Sequence, residues 1–324
     1  MTTAVDIIRS NFNVGAAGGG DILWRDQAGD DVLWLMNNNT LSTVATLPAV
    51  TPDWHLKAAA EFDASTFGDA DILWRNDNGA LALWQMTGTT VSAVHALPNP
   101  GLTWHVVGDN DFNFDEGDDI LFQNDNGALA MWTNISAATG TVLNMFVGVQ
   151  NPGPTWHVVG TGDTDGDRMA GVLWQNDNGA LALWEDPAFL GGPGGPAAFQ
   201  FNAVAALPTV DPSWHVKGMA DLNFSLRADI VFQNDNGAVA VWEMSGTTVT
   251  AMNVVNLNPG PTWHIASMRD MNGDEKADIL FQNDNGAAAV WEGYHSLGGG
   301  VATFDQVLAI TPNPNPNGHV WDLL

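Results

Sequence analysis

The sequence predicts an all-β protein, a single six-bladed β-propeller with four antiparallel strands per blade. Three observations carry this expectation. A block reading DILWRDQAGDDVLW from Asp21 returns from Asp71, Asp119, Gly171, Asp229 and Asp278, as in DILFQNDNGALAMW. A second block, PDWHLK in its first copy, places Trp-His at 54, 104, 156, 214 and 263. The composition is that of turns and strands: 35 Gly, 16 Pro and 15 Trp beside a single Tyr. Self-similarity at a period of about 50 residues, with room for four short strands per unit, is the signature of a propeller.

Each element follows from local chemistry. The Asp-Ile-Leu-Trp/Phe run is short, apolar and β-branched, and reads as a buried strand. Its fourth residue is Trp24, Trp74, Phe122, Trp174, Phe232 or Phe281. Asn-Asp-Asn-Gly follows, and Asn and Gly tolerate the positive φ that a hairpin turn requires. The next strand, Leu129 to Trp132 in one copy, alternates large against small residues, as expected when both faces of a sheet pack on neighbours. A fourth strand, Thr141 to Val149 in the same unit, ends at an Asn-Pro-Gly turn such as Asn151 to Gly153. The blades are expected at 52–100, 101–150, 151–208, 209–258 and 259–310. Residues 311–324 and 1–51 together make the sixth, so that the terminal segments share one blade and hide its edges. Gly318 to Trp321 and Ala4 to Ile8 both resemble the Trp-His strand, so the sequence leaves open which end closes the ring. Asp186 to Pro196, rich in Gly and Pro, reads as a loop insertion.

Charge and composition exclude several functions. The formal charge is −28, with Lys and Arg together numbering 9 against 37 acids. Such a chain has no basic surface with which to displace counterions from nucleic acid or to dock on anionic membranes. No apolar run is long enough for a membrane helix, and no membrane insertion is expected. Cysteine is absent, so there is no disulfide framework, thiolate metal site or cysteine nucleophile. The first ten residues lack the basic and apolar regions of a cleavable signal peptide.

The acids are mostly Asp, which suits turns and short-reach coordination. Before the strand-hairpin block lies a nine-residue loop with oxygen side chains at positions 1, 3, 5 and 9. It is complete in Asp111, Asn113, Asp115 and Asp119, and in Asp270, Asn272, Asp274 and Asp278. Three acids in so short a loop repel one another unless a cation lies between them, and hard oxygen ligands suit Ca²⁺. Asp163, Asp165 and Asp167 supply the first three positions of another loop, with Gly171 at the ninth. Asp221, Asn223 and Asp229 supply three more, with Ser225 at the fifth. The loop before Asp71 keeps little of the pattern, and Asn11-Phe-Asn13 before Asp21 looks vestigial. Polar turns without an ion are the plain alternative for all of these. The EF-hand pattern is not met, because Phe122 and Phe281 stand at position 12.

The acidic loop, the following Asp-Ile-Leu-Phe/Trp strand and the Asn-Asp-Asn-Gly hairpin together resemble bacterial FG-GAP/VCBS-type repeats over essentially the whole chain. The resemblance implies a β-propeller with Ca²⁺ held in inter-strand loops, as in the integrin α head, and implies no single activity.

The remaining candidates read as structural. The repeated Trp residues favour packing between blades, with a few at strand ends able to meet a ligand. His55, His105, His157, His215 and His264 follow Trp in every copy and are expected to serve a repeated structural role; a shared metal site would require them to line the central channel. No nucleophile elbow, phosphate loop or dinucleotide fingerprint occurs. The sequence therefore points to a non-enzymatic, Ca²⁺-binding recognition module, a monomer outside the cell or at its surface, with a carbohydrate or protein ligand. The lack of a signal peptide is shared with substrates of one-step secretion systems. Two alternatives are a Ca²⁺-assisted polysaccharide lyase or glycoside hydrolase with a site at one end of the propeller, and a purely structural scaffold. An active site would break the repeat, and the strongest departures are the 186–196 insertion and Arg25 and Arg75, which stand where later units carry Gln.

Overall fold

The computed structural model describes residues 12, 20–26, 29–37, 40–62, 70–136, 138–190, 197–310 and 321–323. Every element in it is a strand or a turn. The first unit holds β1 (Ile22–Asp26), β2 (Asp31–Asn37) and β3 (Thr40–Thr46). The second holds β4 (Trp54–Ala60), β5 (Asp71–Asn76), β6 (Leu81–Thr87) and β7 (Thr90–Leu97). The third holds β8 (Trp104–Asn110), β9 (Asp119–Asn124), β10 (Leu129–Ser136) and β11 (Thr141–Gly148). The fourth holds β12 (Trp156–Gly162), β13 (Gly171–Asn176), β14 (Leu181–Leu190) and β15 (Ala198–Leu207). The fifth holds β16 (Trp214–Ala220), β17 (Asp229–Asn234), β18 (Val239–Ser245) and β19 (Thr248–Val255). The sixth holds β20 (Trp263–Arg269), β21 (Asp278–Asn283), β22 (Ala288–Gly298) and β23 (Val301–Ile310), and β24 (Trp321–Leu323) ends the chain.

Within each unit the strands pair antiparallel in chain order. The architecture is β-propeller-like, but the expected single six-bladed propeller of separate four-stranded blades is corrected. The strands form four sheets, two of four strands and two of eight. Units three and four join through a parallel pairing of β11 with β15, Val147 opposite Ala198 and Gly148 opposite Phe199. Units five and six join in the same way through β19 and β23, Val254 opposite Val301 and Val255 opposite Ala302.

The cause lies in the outer hairpins. In units one, two and five the strand after the central hairpin (β2, β6 and β18) carries Trp-x-Met one residue before its end, and in units two and five a tight turn with Gly88 (φ 56°) or Gly246 (φ 55°) follows. In units three, four and six the residue two places after the Trp is Asn134, Asp186 or Gly293. These have φ of 53°, 58° and 69°, left-handed conformations that Asn, Asp and Gly adopt most readily. The hairpin then runs on, and in units four and six its returning strand reaches the outer strand of the preceding unit. Asp186 to Leu190 is thus strand, paired through Pro187–Phe201 and Leu190–Ala198, where the sequence suggested a loop.

The core consists of six apolar clusters, each at a seam between consecutive units. One packs Ile22, Trp24 and Trp34 of the first unit against Met271, Leu280 and Val290 of the sixth, which closes the series. Alternation sends neighbouring residues of one strand to different seams, so both faces of each sheet are apolar. Every unit stacks its paired aromatics, with ring centroids 5.2 Å apart for Trp24 and Trp34 and 4.6 Å for Phe281 and Trp291. Trp24, Trp74 and Trp174 are fully buried, so the expected packing role holds for them. The closing strand comes from the carboxy-terminal end: Trp321 pairs with Asp26 as Trp54 pairs with Asn76. Trp321-Asp322, not Gly318-His319, thus stands in register with Trp-His. Ala4 to Ile8 lie outside the described residues.

Candidate metal centre

The four acidic loops precede β9, β13, β17 and β21 and share one backbone design. The second loop residue plugs a seam: Phe112, Thr164, Leu222 and Met271 are all fully buried. The first Asp caps the turn. Asp270 Oδ1 accepts from the backbone N–H of Asn272 (3.1 Å) and Gly273 (2.6 Å), and Oδ2 from Glu275 (2.8 Å). Asp111, Asp163 and Asp221 take equivalent bonds from their own loops. Left-handed residues, Phe114 and Glu116 in one loop and Gly273 and Glu275 in another, turn these N–H groups inward. The ninth residue, at the start of the following strand, pins the plug: Asp119 Oδ2 accepts from Phe112 N and Asp278 Oδ2 from Met271 N, both at 3.0 Å.

The loop of Asp111, Asn113, Asp115 and Asp119 and that of Asp270, Asn272, Asp274 and Asp278 are each tied by backbone hydrogen bonds to their first and ninth aspartates, but among the described residues neither gathers three acids as closely as the loop at Asp163 does. Asn113 Nδ2 donates to Asp115 Oδ2 at 3.0 Å. Asp163, Asp165 and Asp167 form the tightest group, each offering a carboxylate oxygen within 4.8 Å of the others. In the fourth loop Asp221 accepts from Asn223 N at 3.2 Å and from Ser225 N at 3.0 Å. Asp229 Oδ1 accepts from Met244 N at 3.2 Å. The residues 63–69 and 13, which carry the weakest motifs, lie outside the described residues.

Sequence reasoning missed Glu185. Gly171 holds the ninth position of the third loop, and a Cβ there would collide with the Glu185 carboxylate arriving from β14. Glu185 is 2% exposed, and Thr164 Oγ1 donates to its Oε1. The signal existed in the sequence: Thr164 is the one polar plug among the four, and Gly171 and Glu185 are paired across the strand-hairpin block.

Electrostatics mark the same residues. Burial pushes the Asp119 carboxyl up to about 9, reinforced by the charges of Asp115 and Asp111. Burial likewise raises Asp229, Asp278 and Glu185 to about 8 each. Asp167 and Asp186 move up for the same reason, aided by the Asp165 charge. Buried carboxylates crowded this way need a proton or a cation. A hard divalent ion fits the all-oxygen donor set.

The other repeated polar groups hold the units together. Gln123 Nε2 donates to Trp156 O of the next unit (2.6 Å) while its Oε1 accepts from Val158 N (3.1 Å). Gln233 does the same for Trp263 and Ile265. Arg75 reaches the carbonyls of Trp104 and Gly101, and Arg25 those of Val50 and Thr51. The two arginines therefore do the work of the glutamines. Among the described residues Gln175 makes no such bond, and at that seam a cavity of about 440 Å³ opens, lined by Gln175, Trp214, Pro212 and His215 together with His157 and Asp177. Each Trp-His histidine pairs with the Asp of its own hairpin, from His55–Asp77 to His264–Asp284, at 2.7–2.8 Å on the surface.

No protein-family model matches the chain, and no curated protein matches it. Among solved structures it is similar to BBS1N in complex with ARL6DN, soaked with lead. The TM-score is 0.48 at 9% identity, covering 90% of this chain and 92% of that one. The same complex soaked with mercury gives a TM-score of 0.40 at 11% identity, covering 84% and 76%. Among the described residues, no helix is long and apolar enough to cross a membrane.

Proposed function

We propose that the protein is a non-enzymatic, Ca²⁺-stabilised recognition module of FG-GAP/VCBS type that works where calcium is millimolar, outside the cell. The observation that carries this reading is the convergence of Asp163, Asp165 and Asp167, whose charges also act on the buried Glu185. Loops of this simple kind suit the millimolar affinities of extracellular modules. Calcium here would fix the loops that lead into the buried strands, and so act on the fold and not on a substrate.

The recognition surface we assign is the cavity at Gln175. A half-buried Trp214 offers an apolar platform, and the free amide of Gln175 offers a donor and an acceptor beside it. That pairing suits the alternating apolar and hydroxyl faces of a sugar ring. The net negative charge favours a neutral glycan over an acidic one. A glycan array probed with the calcium-loaded protein tests this. Binding that Trp214→Ala and Gln175→Ala abolish is expected. Binding that survives both variants, or no binding across neutral glycans, would overturn the glycan assignment.

A further inference from the structure

Resting on the glycan reading of the Gln175 cavity, we propose that the ligand enters through two adjacent free hydroxyls of a neutral pyranose, one donating to Trp214 O and the other accepting from Val216 N. The chain itself shows what such a pair of backbone groups takes. At two other seams a Gln side chain holds their counterparts. Gln123 donates to Trp156 O (2.6 Å) and accepts from Val158 N (3.1 Å). Gln233 donates to Trp263 O (2.7 Å) and accepts from Ile265 N (3.0 Å). Each carboxamide sets a donor beside an acceptor.

β16 presents the same pair. Its register against β17, with the irregularity after Val216, repeats that of β12 and β20 against their own partners. Asp235 N donates to Ser213 O (2.9 Å), so alternation turns Trp214 O and Val216 N away from β17. Among the described residues no side chain bonds to either group, and Gln175 makes no hydrogen bond. The cause is side-chain reach. Gln123 and Gln233 meet Asn-Pro-Gly turns, at Asn151 and Asn258, whereas Gln175 meets Val210-Asp211-Pro212. The matching turn, Val50-Thr51-Pro52, is met by a longer side chain: Arg25 donates to Val50 O (3.1 Å) and Thr51 O (3.3 Å). The hairpin ends part accordingly. A Cβ on Gly127 or Gly237 would lie 2.3 Å from Gly153 or Gly260, but one on Gly179 meets nothing within 4 Å. The cavity opens there, with Trp214 in its wall. Adjacent equatorial hydroxyls supply a donor beside an acceptor, as a carboxamide does, while the apolar face of the sugar ring covers the indole.

The test is calorimetric titration of the full chain with the methyl pyranosides of glucose, galactose and mannose and with their per-O-methylated forms. The free sugars are expected to bind and the methylated forms are not. Gln175→Arg should reach the Val210 and Asp211 carbonyls as Arg25 reaches its own, raise the unfolding midpoint by about 2–4 °C and end sugar binding. Val216→Pro keeps Gln175 and Trp214 but removes the donor N–H, at a position facing away from β17 where proline is tolerated. It should weaken binding about fivefold to tenfold. Circular dichroism confirms that each variant is folded, and if one fails to fold the other decides. Binding unchanged in either variant, a midpoint that Gln175→Arg does not raise, or methylated sugars held as tightly as free ones would overturn the hydroxyl assignment and leave the glycan reading standing. No binding of any free sugar would overturn both.

Discussion

Stripping the protein of divalent cations should make its stability fall as the pH rises through the range in which its buried loop carboxylates titrate. Asp119 titrates near 4 in the unfolded chain and at about 9 in the folded one. Between those values the folded state keeps a proton that the unfolded state releases. Its contribution is fully present below about pH 4 and is lost as the pH climbs toward the folded value. Each pH unit in that window removes about 1.4 kcal/mol per group. From pH 5 to pH 8 the loss is about 4 kcal/mol for Asp119 alone, roughly 6 °C in Tm for a chain of this size. Asp229, Asp278 and Glu185, each raised to about 8, act with the same sign. Urea unfolding followed by Trp fluorescence at pH 5 and pH 8 reads the effect directly. Saturating calcium holds the carboxylates ionised and should flatten the profile. A stripped protein equally stable at both pH values would refute the reasoning, because the loop carboxylates would then be solvated and in no need of a cation.

Other expectations concern the frame. Gly237→Ala should destabilise by about 2–4 kcal/mol, since it combines a positive φ with a collision against Gly260 of the next unit. Gly179→Ala, with similar φ (85°) and nothing within 4 Å, should cost only about 1–2 kcal/mol; equal losses in a denaturant titration would contradict the seam contact. Arg75→Gln should be nearly neutral because Gln does the same work in other units, while Arg75→Leu should cost about 1–3 kcal/mol by orphaning the Trp104 and Gly101 carbonyls. Trp174→Ala should cost about 3–5 kcal/mol, read from the unfolding midpoint, because the ring is fully buried against Trp184.

Much of this was legible in the residues. The strand-hairpin block fixes β5, β9, β13, β17 and β21 because its apolar run and its Asn-Asp-Asn-Gly turn agree. Gly127 confirms the turn with φ 89°, and a Cβ there would meet Gly153 of the next unit. The acidic loops were likewise visible, since three of their four ligand positions are local in sequence. The merging of sheets was not, because it depends on how far a hairpin extends past its Trp. The cue was a single residue, Met in one class and Asn, Asp or Gly in the other, and its meaning shows only when φ is known. Glu185 was hidden for a related reason. A strand pairing, not a loop spacing, carries it to Gly171.

The most direct test of the account is the unfolding midpoint of the metal-stripped protein, titrated with calcium at neutral pH. A ligand that binds only the folded state must raise the midpoint progressively with its concentration. A rise that continues into the millimolar range, and that magnesium does not reproduce, is the predicted result. A midpoint that calcium leaves unmoved would contradict the account and leave the acidic loops as turns capped by their own aspartates.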